Sequence, residues 1–132
     1  MRYGVVLGWG AAVAVAGAGF AGTTNYVAPE GSDANTGTSW GDAWATISHA
    51  VANSVDTDLI LVSNGTYDVT CEIRVDKELT IHGLDRDEVI VRRTGETACR
   101  IFAVSNAAAR LANLTIRDGL VTNGLNGGGV YL

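Results

Sequence analysis

The sequence predicts an all-β chain wound as a coil of short strands, on three observations. Short apolar runs recur between turn residues: Leu59-Ile-Leu-Val62, Ile73-Arg-Val75, Val89-Ile-Val91, Ile101-Phe-Ala-Val104 and Gly129-Val-Tyr-Leu132. The stretch Leu79-Thr-Ile-His-Gly83 returns as Leu114-Thr-Ile-Arg-Asp-Gly119, alternating apolar and polar and closed by glycine. Glycine is abundant at 17 residues and proline occurs once, which favours tight turns over proline-rich linkers. Successive side chains of a strand point to opposite faces. Leu79 and Ile81 are therefore expected on one face with Leu114 and Ile116, and Thr80, His82, Thr115 and Arg117 on the other.

The 132 residues make room for one domain of ordinary size, and 47% hydrophobic against 17% charged residues exclude a disordered body. Residues 1–21 read as an export signal. Met1-Arg2 supplies a positive start, Tyr3 to Phe20 carries no charge, and Gly19-Phe20-Ala21 is an acceptable cleavage site before Gly22. A membrane anchor is the alternative, disfavoured because the run is rich in Ala and Gly. The net charge of −5 becomes one unit more negative once Arg2 leaves with the signal. An acidic surface without a basic cluster argues against nucleic acid and anionic membrane as partners.

Residues 22–58 form the entry segment. Asn25-Tyr-Val-Ala28 is a short strand ended by the turn at Pro29-Glu-Gly31. The polar loop to Trp40 follows, where Asp33, Asn35 and Ser39 can bond nearby amides. Asp33 and Asn35 alternate as the first ligands of a calcium loop do, but the later ligand positions fail. An Asx-turn loop is the favoured expectation, with an ion site at Asp33 and Asn35 as the weaker one. Asp42 is expected to cap a helix running from Ala43 to about Asn53. Trp44, Ile47, Val51 and Val55 fall on one face of it. This helix is the natural lid over the first coil, since an exposed end of stacked strands invites pairing with other chains. Trp40 and Trp44 are expected to pack there, with a sugar-stacking platform as the alternative.

Residues 59–132 are expected to be the coils. Asn64-Gly65 marks a turn, and Leu59, Leu79 and Ile101 are spaced by roughly 20–22 residues, as equivalent positions of a coil would be. Each turn would bury its aliphatic residues only by stacking on its neighbours. Gly127-Gly-Gly-Val-Tyr-Leu132 opens a strand with no closing cap, so the chain is expected to be the front piece of a longer one, with the remaining C-terminal coils as its partner. Cys71 and Cys99 suit an exported protein with one disulfide, which would stabilise by about 3–4 kcal/mol on the chain-entropy model. Two buried thiols are the alternative.

The entry residues Tyr26-Val-Ala-Pro-Glu-Gly-Ser-Asp-Ala-Asn-Thr-Gly-Thr-Ser-Trp40, then Trp44-Ala-Thr-Ile47, Leu59-Ile-Leu-Val62 and Asn64-Gly-Thr-Tyr67, carry a family resemblance. They resemble the entry segment of secreted bacterial right-handed parallel β-helix proteins of the pectate-lyase-like type. Leu114-Thr-Ile-Arg-Asp-Gly119 and the final strand look like the repeats of polymorphic outer-membrane proteins. The resemblance implies a right-handed parallel β-helix, a solenoid with a short N-terminal capping helix, truncated at its C-terminal end. It implies a secreted, cell-surface or outer-membrane location and a polysaccharide or cell-surface component as partner. The same entry segment precedes both polysaccharide lyases and non-enzymatic surface proteins. The catalytic region of the lyases lies several coils further along than this chain reaches.

No catalytic residue is assigned. Lys77 stands between Asp76 and Glu78 and is expected to be a solvated ammonium. Asp85, Asp87, Glu88 and Asp118 sit in turn-like settings rather than as a hydrolytic pair. His49 and His82 lack partners at metal spacing. Arg74, His82 and Arg117 are the candidate carbohydrate-binding residues, expected along one water-facing row, with solvated surface residues as the alternative. No cofactor is expected beyond the weak calcium option. Asn64-Gly-Thr66 and Asn113-Leu-Thr115 match the glycosylation sequon, though a strand or turn role is favoured. An exported scaffold for adhesion or carbohydrate interaction is the expected function, with the front end of a polysaccharide lyase or glycoside hydrolase as the alternative.

Overall fold

The computed structural model describes residues 22–122 and 127–132; the expected export signal over residues 1–21 lies outside them. Strand β1 (Thr24–Val27) comes first, and helix α1 (Ile47–Asn53) follows the polar loop. Then come β2 (Leu59–Val62), β3 (Gly65–Val69), β4 (Ile73–Val75), β5 (Thr80–Gly83), β6 (Val89–Arg93) and β7 (Phe102–Val104). The last strands are β8 (Arg110–Ala112), β9 (Thr115–Arg117) and β10 (Val130–Tyr131). The described chain is thus β-rich, with one short helix.

The strands form three sheets in the orders β1-β2-β5-β8, β3-β6-β9 and β4-β7-β10, and every pairing is parallel. A parallel pair needs a crossover; between β1 and β2 it is the polar loop with α1, and for the later pairs it is strands of the other two sheets. Between β2 and its neighbour β5, for example, the chain passes through β3 and β4. Parallel register stacks like on like. Ile60 lies beside Ile81 and Ile81 beside Leu111; Tyr67, Val91 and Ile116 make a second row; Ile73, Phe102 and Val130 make a third. Residues of all three rows meet in one core. Its close contacts, each small, add up to the stabilisation of a packed interior.

Register overturns two expectations. The two Leu-Thr-Ile copies do not occupy equivalent places, for Thr80–Gly83 pairs with β2 and β8 whereas Thr115–Arg117 pairs with β6. The strands at Leu59 and Leu79 are neighbours in one sheet as their spacing suggests, with Thr80 beside Leu59, but Ile101 precedes β7 in a different sheet. Connections between strands differ in length, so a constant spacing in sequence does not mark equivalent positions in space. Alternation also fails in β2, where all four residues are buried. Ile60 and Val62 enter the main core, while Leu59 and Leu61 are covered by Tyr26 and Trp40. The two rings meet edge to face at 4.8 Å. Parallel strands are commonly covered on both faces, and Trp40 is a packing residue in that role.

The helix is shorter than the sequence suggests. Its N-cap is Thr46, whose hydroxyl accepts from the His49 amide at 3.2 Å, not Asp42. Residues before it are otherwise engaged: Trp44 bridges Val27 in parallel, exchanging bonds with Tyr26 and Ala28. Ile47, Ala50 and Val51 are buried, and α1 lies against β4, β1 and β2. Val55, expected on the same face, falls beyond the helix and is 64% exposed.

Candidate functional site

The three candidate carbohydrate-binding residues stand on three different sheets: Arg74 in β4, His82 in β5 and Arg117 in β9. They do not form the single row expected. Their neighbours in register are instead Ala103 for Arg74, Leu61 and Ala112 for His82, and Arg92, itself beside Asp68, for Arg117.

The Arg74 row has the richest surroundings. The Glu72 carboxylate reaches Arg74 at 3.0 Å through one oxygen and Arg100 at 3.3 Å through the other. The Arg100 guanidinium lies 4.4 Å from the centroid of the Tyr131 ring, a cation–π contact. Together with Ala103 and Ser105 these residues line a cavity of about 200 Å³ on the β4-β7-β10 sheet. Two guanidinium groups thus share one carboxylate beside an aromatic ring. Glu72, Arg100 and Tyr131 were not legible as site residues. Only the alternation Glu72-Ile73-Arg74 placed Glu72 on the outer face with Arg74; the others needed the register of β7 and β10.

The β3-β6-β9 sheet carries a charge row. Arg92 meets Asp68 at 2.7 Å and Arg117 meets Asp118 at 3.0 Å, so Arg117 is already paired. His82 is half-buried, and desolvation by burial lowers its pKa, favouring the neutral ring. A second cleft of about 270 Å³ opens between the start of α1 and β3, with Thr46, Ser48, Thr66, Asp68, Thr70 and Cys71 in its wall.

Asp33 and Asn35 serve the loop. One Asp33 oxygen accepts from the Ala45 and Thr46 amides at 2.9 and 3.0 Å, the other from the Thr46 hydroxyl at 2.8 Å. Asn35 donates its side-chain amide to the Ala43 carbonyl, and its own carbonyl accepts from the Trp44 indole at 2.8 Å. Three donors thus bond the Asp33 carboxylate. Among the described residues there is no group of three or more His, Cys, Asp or Glu side chains arranged to hold a metal.

Lys77 is not a solvated ammonium. Its Nζ donates to the Val51, Ala52 and Ser54 carbonyls at 2.9, 3.2 and 2.8 Å, the groups that a helix C-terminus leaves without partners. Cys71 and Cys99 stand as separate thiols here, the first exposed and the second half-buried. Cys99 points instead at the Thr70 carbonyl, 3.6 Å away, beside Cys71 in sequence. The sequon at Asn113 is engaged between strands: its side-chain amide donates to the Gly83 carbonyl at 2.8 Å and the Thr115 hydroxyl to the Arg86 carbonyl at 2.8 Å.

What the fold and these clusters define is a β-rich protein of parallel sheets with polar clefts on its outer faces. No family model, curated protein or solved structure matches the chain.

Proposed function

We propose that the chain is a right-handed parallel β-helix acting as an exported surface or extracellular scaffold, which contacts an acidic polysaccharide or cell-surface component without catalysis in this stretch. The observation that carries this reading is the rotation of consecutive strands through three parallel sheets: β2, β3, β4, then β5, β6, β7, then β8, β9, β10. A rigid stack of that kind displays side chains in fixed rows along its outside, which suits a long repetitive ligand. The cleft around Glu72, Arg74, Arg100 and Tyr131 supplies the contact, with guanidinium groups for a carboxylate and a ring face for a sugar. Arg117 and His82, on other faces, would be separate and lesser contacts.

Calorimetry with an oligogalacturonate and with a neutral oligosaccharide of equal length tests the proposal. The acidic sugar alone is expected to bind, with the dissociation constant raised about tenfold by Arg74→Ala and by Tyr131→Ala. Absence of binding at millimolar sugar, or binding by both variants as tight as by the native protein, would refute the assignment.

A further inference from the structure

Cys71 and Cys99 are brought side by side by the pairing of β4 with β7. Ile73 lies next to Phe102 in that register, and the Ile73 amide donates to the Ile101 carbonyl at 2.9 Å. Carried back toward the N-terminus, the same register puts Thr70 beside Cys99. The Cys99 thiol, 3.6 Å from the Thr70 carbonyl, shows that the two segments still run together there. Cys71 then stands one residue along the diagonal from Cys99. The next residues in sequence, Glu72 and Arg100, hold the same diagonal relation, and their side chains meet at 3.3 Å. Parallel strands about 4.8 Å apart, with a rise of about 3.3 Å per residue, put such diagonal Cα atoms about 5.8 Å apart. That separation lies inside the range a disulfide spans.

The local backbone suits a bridge. Cys71 lies between β3, which ends at Val69, and β4, which begins at Ile73. Cys99 precedes β7, which begins at Phe102. Neither side chain is therefore bound to the alternating faces of a pleated strand. A thiol is a weak donor, so the contact with the Thr70 carbonyl resists rotation of Cys99 only slightly. The backbone around Cys99 is pinned, by contrast. Arg93 Nη1 donates to the Gly95 and Thr97 carbonyls, and the Cys99 carbonyl accepts from the Leu120 amide at 3.1 Å. Cys71 is exposed and Cys99 half-buried, so an oxidant meets Cys71 first.

We propose that Cys71 and Cys99 form a reversible thiol–disulfide staple between β4 and β7, closed by a small-molecule disulfide such as oxidised glutathione. The Cys71 thiolate attacks one sulfur of the oxidant, whose S–S bond breaks and whose other half leaves as a thiol. The Cys99 thiolate then attacks the Cys71 sulfur and expels the second half. Both cysteines are oxidised, the oxidant is reduced to two thiols, and these carry off the two protons. The staple rests on strand register, independently of any sugar contact or of export.

Incubation of the folded full chain with oxidised glutathione tests it, followed by thiol titration and mass measurement after unfolding. The expected product is a single chain lighter by two hydrogen atoms, with no titratable thiol and no retained glutathione. Cys99→Ser is expected to stop at one glutathione adduct on Cys71. Closure should run at least about tenfold faster in the folded chain than in denaturant, where the fold no longer holds the two cysteines together. It should lower the unfolding equilibrium constant about a hundredfold, and a reductant should restore the original value. Two free thiols, glutathione retained on both cysteines, or chains linked to one another would overturn the proposal. So would closure no faster than in denaturant, or a closed form no more stable than the reduced one.

Discussion

Asp33 accepts two amides and a hydroxyl, and its titration follows from that. Burial works against its charge. The Thr46 hydroxyl, the Thr46 and Ala45 amides and nearby His49 outweigh this and hold the pKa below its ordinary value. A depressed carboxyl pKa adds stability that is present above the unfolded value, about 3.9 for Asp. That stability is lost as pH falls through the folded value. Asp33→Asn is therefore expected to lower stability by about 1–2 kcal/mol at neutral pH, the deficit shrinking below about pH 4. Thermal unfolding of both proteins between neutral and acid pH checks this, and a deficit that stays constant would contradict it. His82 works at a higher pH. Its folded pKa is lowered by burial, so the unfolded chain takes up a proton first as pH falls below about 6.5. Stability should decline through that window in the native protein and less so in His82→Gln, as read from denaturation midpoints at a series of pH values.

At the scale of the element, α1 raises the question of how seven residues remain helical, since isolated helices shorter than about 12 residues are marginal in water. Both ends are held from outside. Thr46 and Asp33 satisfy the first amides, and Lys77, arriving from the turn after β4, satisfies the last carbonyls with a positive charge at the favourable end of the helix dipole. Lys77→Met keeps the aliphatic stem and removes the donors. It should cost about 1–3 kcal/mol, and the Ser54 amide, which closes the helix on the Ala50 carbonyl, should exchange its proton faster than in the native protein. Unchanged exchange there would mean that packing alone holds the helix.

For the whole molecule, stability comes from rows that cross strands far apart in sequence. Phe102 is the largest fully buried side chain, standing between Ile73 and Val130 in register. Phe102→Ala should lower stability by about 3–5 kcal/mol, seen as an earlier denaturant midpoint. A loss under about 1 kcal/mol would show that the rows do not share one core. Close approach between strands matters too. At Gly83 a side chain would run into the Asn113 carbonyl, and Asn113 itself turns the chain at φ 57° while bonding back to Gly83.

Strand positions were legible because alternation and turn residues are local. Leu59–Val62, Ile73–Val75 and Val89–Val91 lie within strands, and Ile47 and Val51 are buried as their helical spacing requires. The strand-rich class followed from the same signals; that the strands pair in parallel was implied by the family resemblance and not by any local pattern. Only the tertiary structure decided which strand lies beside which, because register depends on the lengths of intervening connections and no local pattern encodes those. That one unknown set the fate of the candidate site: it sent Arg74, His82 and Arg117 to separate sheets and brought Glu72, Arg100 and Tyr131 together. It also turned Lys77, which read as a free cation, into a clamp on the end of a helix, while Asp33 accepts nearby amides as its favoured loop role suggested.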